Sequence, residues 1–121
     1  MNEGVLILAH GSREKSTEDT LSIIMKMLRQ ELNLENIESA YLQFSENNLE
    51  KGLLKFINKG ITDIKVIPYF LFEGIHIKED IPKEIDEFLK KYPGVKISFG
   101  HTLGADKRLA ETLADRVREI I

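Results

Sequence analysis

The run Val5-Leu6-Ile7-Leu8-Ala9, followed at once by His10-Gly11-Ser12-Arg13, decides how the rest of this chain reads. The apolar stretch is too short for an ordinary helix and too continuous for a strand with one wet face. Gly4 and Gly11 bound it. Such a run is a strand buried on both sides, and strands of that kind belong to parallel sheets covered by helices.

Downstream the period lengthens. Between residues 17 and 34, Leu21, Ile24, Met25, Leu28 and Leu32 fall on one stripe of a helix. Ser16 and Asp19 have the spacing of a capping box. A second strand is expected over 37–44. A second helix follows over 48–59, with Leu49, Leu53, Phe56 and Ile57 inward and Gly60 as its stop. Residues 64–68 read as the third strand. Residues 80–92 read as the third helix, with Ile81, Ile85, Phe88 and Leu89 inward. Asp80 stands as its N-cap and Pro82 in its first turn. Pro93-Gly94 closes that helix. A fourth strand is expected over 95–99. The last helix is expected over 106–121, with Leu109, Leu113, Val117 and Ile120 turned to the core.

Strands and amphipathic helices thus alternate, βαβαβαβα. Right-handed crossovers restrict the topology to a few arrangements. The pattern predicts an α/β fold: a flavodoxin-like three-layer sandwich with a four-stranded parallel sheet, order 2-1-3-4, and helices on both faces. By size, residues 1–121 are expected to form a single domain. Ligands in such sheets sit beyond the carboxyl ends of the strands, where the first and third diverge.

Composition narrows the chemistry. There are no cysteines, so thiolate metal sites and Cys nucleophiles are excluded. The formal charge is −3, from 17 basic and 20 acidic residues, a poor match to nucleic acid. No apolar stretch reaches the roughly 18–20 residues needed to span a bilayer. No targeting signal is evident, so the cytoplasm is the expected compartment and no membrane is an expected partner. Neither a G-x-x-x-x-G-K-[ST] phosphate loop nor a G-x-G-x-x-G fingerprint occurs. No G-x-S-x-G elbow surrounds Ser12.

There are three histidines. His10 ends the first strand, His76 lies in the long loop after the third, and His101 follows the fourth. All fall on the rim where ligands bind. A loop leaving the third strand can fold His76 over His10, and two neutral imidazoles can share a divalent metal. A plainer reading stands beside this one. Tyr69, Phe70, Leu71 and Phe72 can simply continue the core with His76 on the surface, and His101 reads more simply as a loop residue. Arg13, Lys15, Lys78, Lys107 and Arg108 bring positive charge to the same rim.

Three stretches together carry a resemblance: Leu8-Ala9-His10-Gly11-Ser12-Arg13, then Pro68-Tyr69-Phe70-Leu71-Phe72-Glu73-Gly74-Ile75-His76 with Lys78-Glu79-Asp80-Ile81-Pro82, then Leu103-Gly104-Ala105-Asp106. The chain resembles the CbiX-type class II chelatases, in their small single-domain form, over essentially its whole length. The resemblance implies ATP-independent insertion of a divalent metal into sirohydrochlorin, with cobalt expected first, for cobalamin synthesis. Nickel and iron insertion are the alternatives within the class, and a non-catalytic metal or tetrapyrrole carrier is the alternative outside it. It implies that His10 and His76 bind the metal and assist pyrrole deprotonation, His10 foremost. Ser12, Arg13, Phe72 and Gly74 are the expected substrate contacts. It also implies a homodimer, because larger relatives fuse two such domains around one cleft.

The chemistry agrees with that implication. Neutral imidazole is a base near pH 7 and a ligand for cobalt, nickel or ferrous ion. One departure stands out. The family pattern ends the second strand in Leu-Glu with Glu-Pro shortly after, whereas this chain has Leu42-Gln43 and Glu46-Asn47. Gln43 cannot act as a base, and Glu46 is the nearby substitute.

Overall fold

The computed structural model describes residues 3–121; for His76 it describes the backbone alone. The elements are β1 (Glu3–Ala9), α1 (Lys15–Leu32), β2 (Ile37–Tyr41), α2 (Leu49–Asn58), β3 (Asp63–Pro68), α3 (Ile81–Lys91), β4 (Lys96–Phe99) and α4 (Lys107–Arg118). A single turn of π-helix, His76–Asp80, leads into α3. The sheet is all parallel with order β2-β1-β3-β4, as the alternation of patterns predicts.

β1 is the centre of the molecule. It pairs on one side with β2, Val5 opposite Ile37, and on the other with β3, Val5 opposite Lys65. Its side chains alternate between two cores, as the pleat requires. Leu6 and Leu8 face α2 and α3, where they meet Leu53, Phe56, Ile81, Ile85 and Phe88. Ile7 and Ala9 face α1 and meet Leu21, Met25, Ile37 and Tyr41. Both faces are apolar, and that is why the run from Val5 to Ala9 is unbroken.

Four expectations need correction. β2 stops at Tyr41 rather than reaching 44. Phe44 adopts a left-handed conformation, φ 59°, which turns the chain out of the strand. The capping box of α1 does not form: Glu14 is the N-cap residue and makes no side-chain cap bond, while Ser16 lies inside the helix. Asp80 does not cap α3, because it is itself helical and continues the π-turn into the helix. The inward face of α4 is also misassigned. Leu113 is 67% exposed and Ile120 86%, and α4 buries no residue fully. The 3.6-residue period reports an apolar stripe but not what lies against it. At the sheet edge, none of the described residues buries it.

Candidate functional site at the strand carboxyl ends

The rim of the sheet is extended beyond the strands by backbone pairing. The Tyr69 amide donates to the Leu8 carbonyl at 2.7 Å, and the Leu42 amide donates to that of Ala9 at 2.9 Å. The Gln43 amide then donates to the His10 carbonyl at 3.1 Å. His10 is therefore gripped from the β2 side at the mouth of the central strand. Asn47 holds the same loop: its Nδ2 donates to the Ser39 carbonyl at 2.8 Å.

Gly11 makes the exit from β1 possible. Its φ is +89°, and a Cβ there would sit 2.0 Å from the Gln43 carbonyl oxygen. Only glycine fits that turn. Ser12 follows, and its hydroxyl accepts from the Glu14 amide at 3.0 Å, which starts α1.

The imidazole of His10 lies flat on the ring of Phe70, centroids 4.0 Å apart and planes within 2°. Phe70 is buried, so the stack fixes the plane of an otherwise exposed imidazole. Three cavities meet at His10. One of about 340 Å³ lies toward α1, lined by Thr17, Thr20, Tyr41 and Tyr69. One of about 380 Å³ lies along the loop after β3, lined by Phe70, Leu71, Phe72 and Gly74. One of about 170 Å³ lies toward α3, lined by Leu42, Gln43, Asp80, Ile81 and Glu84. Together they form an open crevice between the loops that follow β1, β2 and β3, the position that strand order predicts.

Electrostatics differ across the crevice. Burial, reinforced by Glu18 and Asp19, raises the Tyr41 phenol above its ordinary value, so it remains a hydroxyl at neutral pH. Burial also raises the Glu84 carboxyl, with Glu50 and Glu87 adding to the effect. Among the described residues no three His, Cys, Asp or Glu side chains converge as a metal cage.

The expected site residues distribute as follows. His10, Phe72 and Gly74 line one cavity together. Arg13 stacks over Phe44, its guanidinium carbon 4.9 Å from the ring centre. The expected pairing of His10 with His76 lies outside the described residues, because only the His76 backbone is among them; it opens the π-turn on the same rim. His101 is exposed in the loop after β4 and lines none of the three cavities. Phe70, Tyr41 and Glu84 belong to the crevice, and the sequence pattern gives none of them a role beside His10. Phe70 reads as core, Tyr41 as strand and Glu84 as a helix surface. Only their meeting at His10 distinguishes them, and that is a tertiary fact.

Fold and rim together define a parallel α/β protein with an imidazole-centred crevice at the topological switch point. The chain belongs to the CbiX family, whose model matches residues 4–120. It is 33% identical to the sirohydrochlorin cobaltochelatase of Sulfurisphaera tokodaii, covering 98% of this chain and 93% of that one. It is 31% identical to the sirohydrochlorin ferrochelatase of Priestia megaterium, covering 97% of this chain but 44% of that one. The crystal structure of the sirohydrochlorin chelatase SirB from Bacillus subtilis subspecies spizizenii, in complex with cobalt, superposes with a TM-score of 0.91 at 28% identity. That match spans 99% of this chain and 51% of the other. The chain thus spans about half the length of some relatives and nearly all of others.

Proposed function

We propose that this protein inserts a divalent metal, cobalt foremost, into sirohydrochlorin without ATP, in the cytoplasm, as a step of cobalamin synthesis. The observation that carries this reading is His10 itself. It stands at the mouth of the central strand, fixed in plane by Phe70 and open to three cavities. Insertion needs a group that takes pyrrole protons and touches the incoming metal, and a neutral imidazole does both. His76, whose backbone stands on the same rim, is the second ligand in this reading.

The apolar wall of Phe70, Leu71 and Phe72 suits the face of a macrocycle. Arg13 and Ser12 stand at the start of α1, where a substrate carboxylate gains from the cation. A homodimer completes the cleft in this reading. Its support is the exposed apolar pair Leu113 and Val117 on α4, with Ile120 exposed just beyond the helix, together with relatives about twice this length. Two observations favour other readings. The ferrochelatase name of one relative favours iron as the metal. Gln43 beside His10, unable to ionise, favours a carrier that binds without inserting.

The test is insertion followed by visible absorption, with sirohydrochlorin and cobalt, nickel or ferrous ion in parallel. His10→Ala is expected to lower the rate by about 100-fold or more while leaving the circular dichroism unchanged. An unaltered rate in that variant sinks the mechanism. Tetrapyrrole binding without insertion by the wild type establishes the carrier instead.

A further inference from the structure

Phe44 breaks two ordinary rules at once. It is a bulky residue with a left-handed backbone, φ 59°, a conformation that suits glycine or asparagine far better. It is also an aromatic ring left 54% exposed, and it belongs to neither apolar core. A strained backbone that burial does not explain is a pointer to function.

What the ring holds is Arg13. The guanidinium carbon lies over the ring, 4.9 Å from its centre. The two loops that carry the pair are tied together beside His10. The Gln43 amide donates to the His10 carbonyl at 3.1 Å, and the Gln43 carbonyl oxygen lies so close to Gly11 that no Cβ fits there. Arg13, three residues beyond His10, and Phe44, one beyond Gln43, therefore meet across the exits of β1 and β2.

Arg13 also differs from the other arginines. Arg29 donates to the Ile37 carbonyl. Arg108, Arg116 and Arg118 donate to the carboxylates of Asp106, Glu119 and Asp115. Among the described residues Arg13 has no hydrogen bond and no ion pair, only the ring beneath it. A cation–π contact occupies the flat face of a guanidinium and leaves its N–H edge open. That edge is a fork of donors matched to a carboxylate. An exposed arginine otherwise samples many rotamers, and a ring under its face removes part of that freedom before a ligand arrives.

We propose, resting on the chelatase reading above, that Phe44 is a positioning residue: its left-handed backbone sets the ring beneath Arg13, so that the guanidinium edge stands ready for a peripheral carboxylate of the tetrapyrrole. Such a carboxylate lies away from the pyrrole nitrogens and keeps its charge throughout insertion. The contact is equally strong before and during the reaction. Phe44 and Arg13 therefore govern the affinity for sirohydrochlorin and not the rate of the bound complex.

The experiment is a double-mutant cycle on two readouts. One is titration of the protein with sirohydrochlorin in the absence of metal, followed by visible absorption. The other is steady-state insertion, with kcat and the KM for each substrate. Phe44→Asn removes the ring while accepting the left-handed backbone, and Phe44→Tyr keeps the ring. Lys26→Ala, at an exposed position of α1, controls for the loss of one positive charge. Phe44→Asn is expected to weaken sirohydrochlorin binding about fivefold. Arg13→Ala is expected to weaken it about tenfold or more. In the Arg13→Ala background, Phe44→Asn is expected to change it by less than about twofold. Phe44→Tyr and Lys26→Ala bind as wild type does, and kcat and the KM for metal stay constant throughout. Equal losses from Phe44→Asn in both backgrounds overturn the proposal, because the ring then acts on the macrocycle or the fold without Arg13. Full affinity in Phe44→Asn, a loss in Phe44→Tyr, or a change confined to kcat or to the KM for metal also overturns it. A wild type that binds sirohydrochlorin without inserting metal overturns the chelatase reading, while the binding cycle still decides the role of Phe44. A wild type that does not bind it overturns both.

Discussion

The centre and the C-terminal edge of this molecule are built from the same pattern and differ in almost everything that follows from it. At the centre, β1 and β3 are covered by α2 and α3, and Leu53, Phe56, Ile64 and Val66 are fully buried. At the edge, β4 has four residues and no fully buried one, and α4 leaves its apolar stripe in the open. The crevice belongs to the centre: all three of its cavities meet at His10. The difference teaches that amphipathic periodicity marks what an element can bury, whereas topology decides whether it does so within one chain.

The largest expected effect breaks this comparison most directly. Phe56→Ala opens a cavity in the central core and is expected to lower stability by about 3–5 kcal/mol. Leu113→Ala, on α4, is expected to change it by less than about 0.5 kcal/mol for the isolated chain. Urea denaturation at low protein concentration measures both. Equal losses would mean that α4 is packed after all. A Leu113 effect that grows with protein concentration would mean that a second copy covers the stripe.

A smaller effect separates two glycines with left-handed backbones. Gly11 has φ +89° and its missing Cβ lies against the Gln43 carbonyl. Gly104, in the loop before α4, has φ +62° with nothing within 4 Å of such a Cβ. Gly104→Ala therefore meets backbone strain alone, about 1 kcal/mol. Gly11→Ala meets strain and a clash with backbone, and is expected to lose about 2–3 kcal/mol and to displace His10. Thermal unfolding gives the stabilities, and the insertion rate reads the displacement. Similar losses at the two positions would show that the loop after β2 yields easily, contrary to its bonds through Leu42, Gln43 and Asn47.

The same contrast explains what could be read from the sequence. Strand order, the buried faces of α2 and α3 and the rim position of His10 all follow from local pattern, because at the centre local pattern and tertiary packing agree. The carboxyl end of β2 and the start of α1 do not follow from the pattern, since each depends on a single local choice: the left-handed backbone of Phe44 and the Ser12 hydroxyl accepting from the Glu14 amide. Phe70 reads as core and is core; that its ring also carries the His10 imidazole is invisible until the two loops are brought together. Glu84 sits at an exposed position of an amphipathic helix, and no spacing rule distinguishes it from Asp86 or Glu87.

The smallest effect sets a central carboxylate against one at the edge. Burial and negative neighbours raise the folded-state pKa of Glu84 above its unfolded value. Ionised Glu84 therefore opposes folding at neutral pH, and this opposition fades as pH falls through the raised folded value, vanishing below the unfolded one. Glu84→Gln is expected to stabilise slightly near pH 7, by less than about 0.5 kcal/mol because solvent screens much of the shift, and to be neutral in acid. At the N-cap of α4 the sign reverses. The side chain and amide of Arg108 donate to Asp106 and hold its carboxyl well below the usual range. That stabilisation is complete above the unfolded carboxylate pKa and is lost as pH falls through the depressed folded value. Asp106→Asn is thus expected to weaken the first turn of α4 at neutral pH, read as faster amide exchange at Arg108. Unfolding curves across pH check the first sign and hydrogen exchange the second. The same sign at both positions would mean that Glu84 is not held in an apolar, acidic setting.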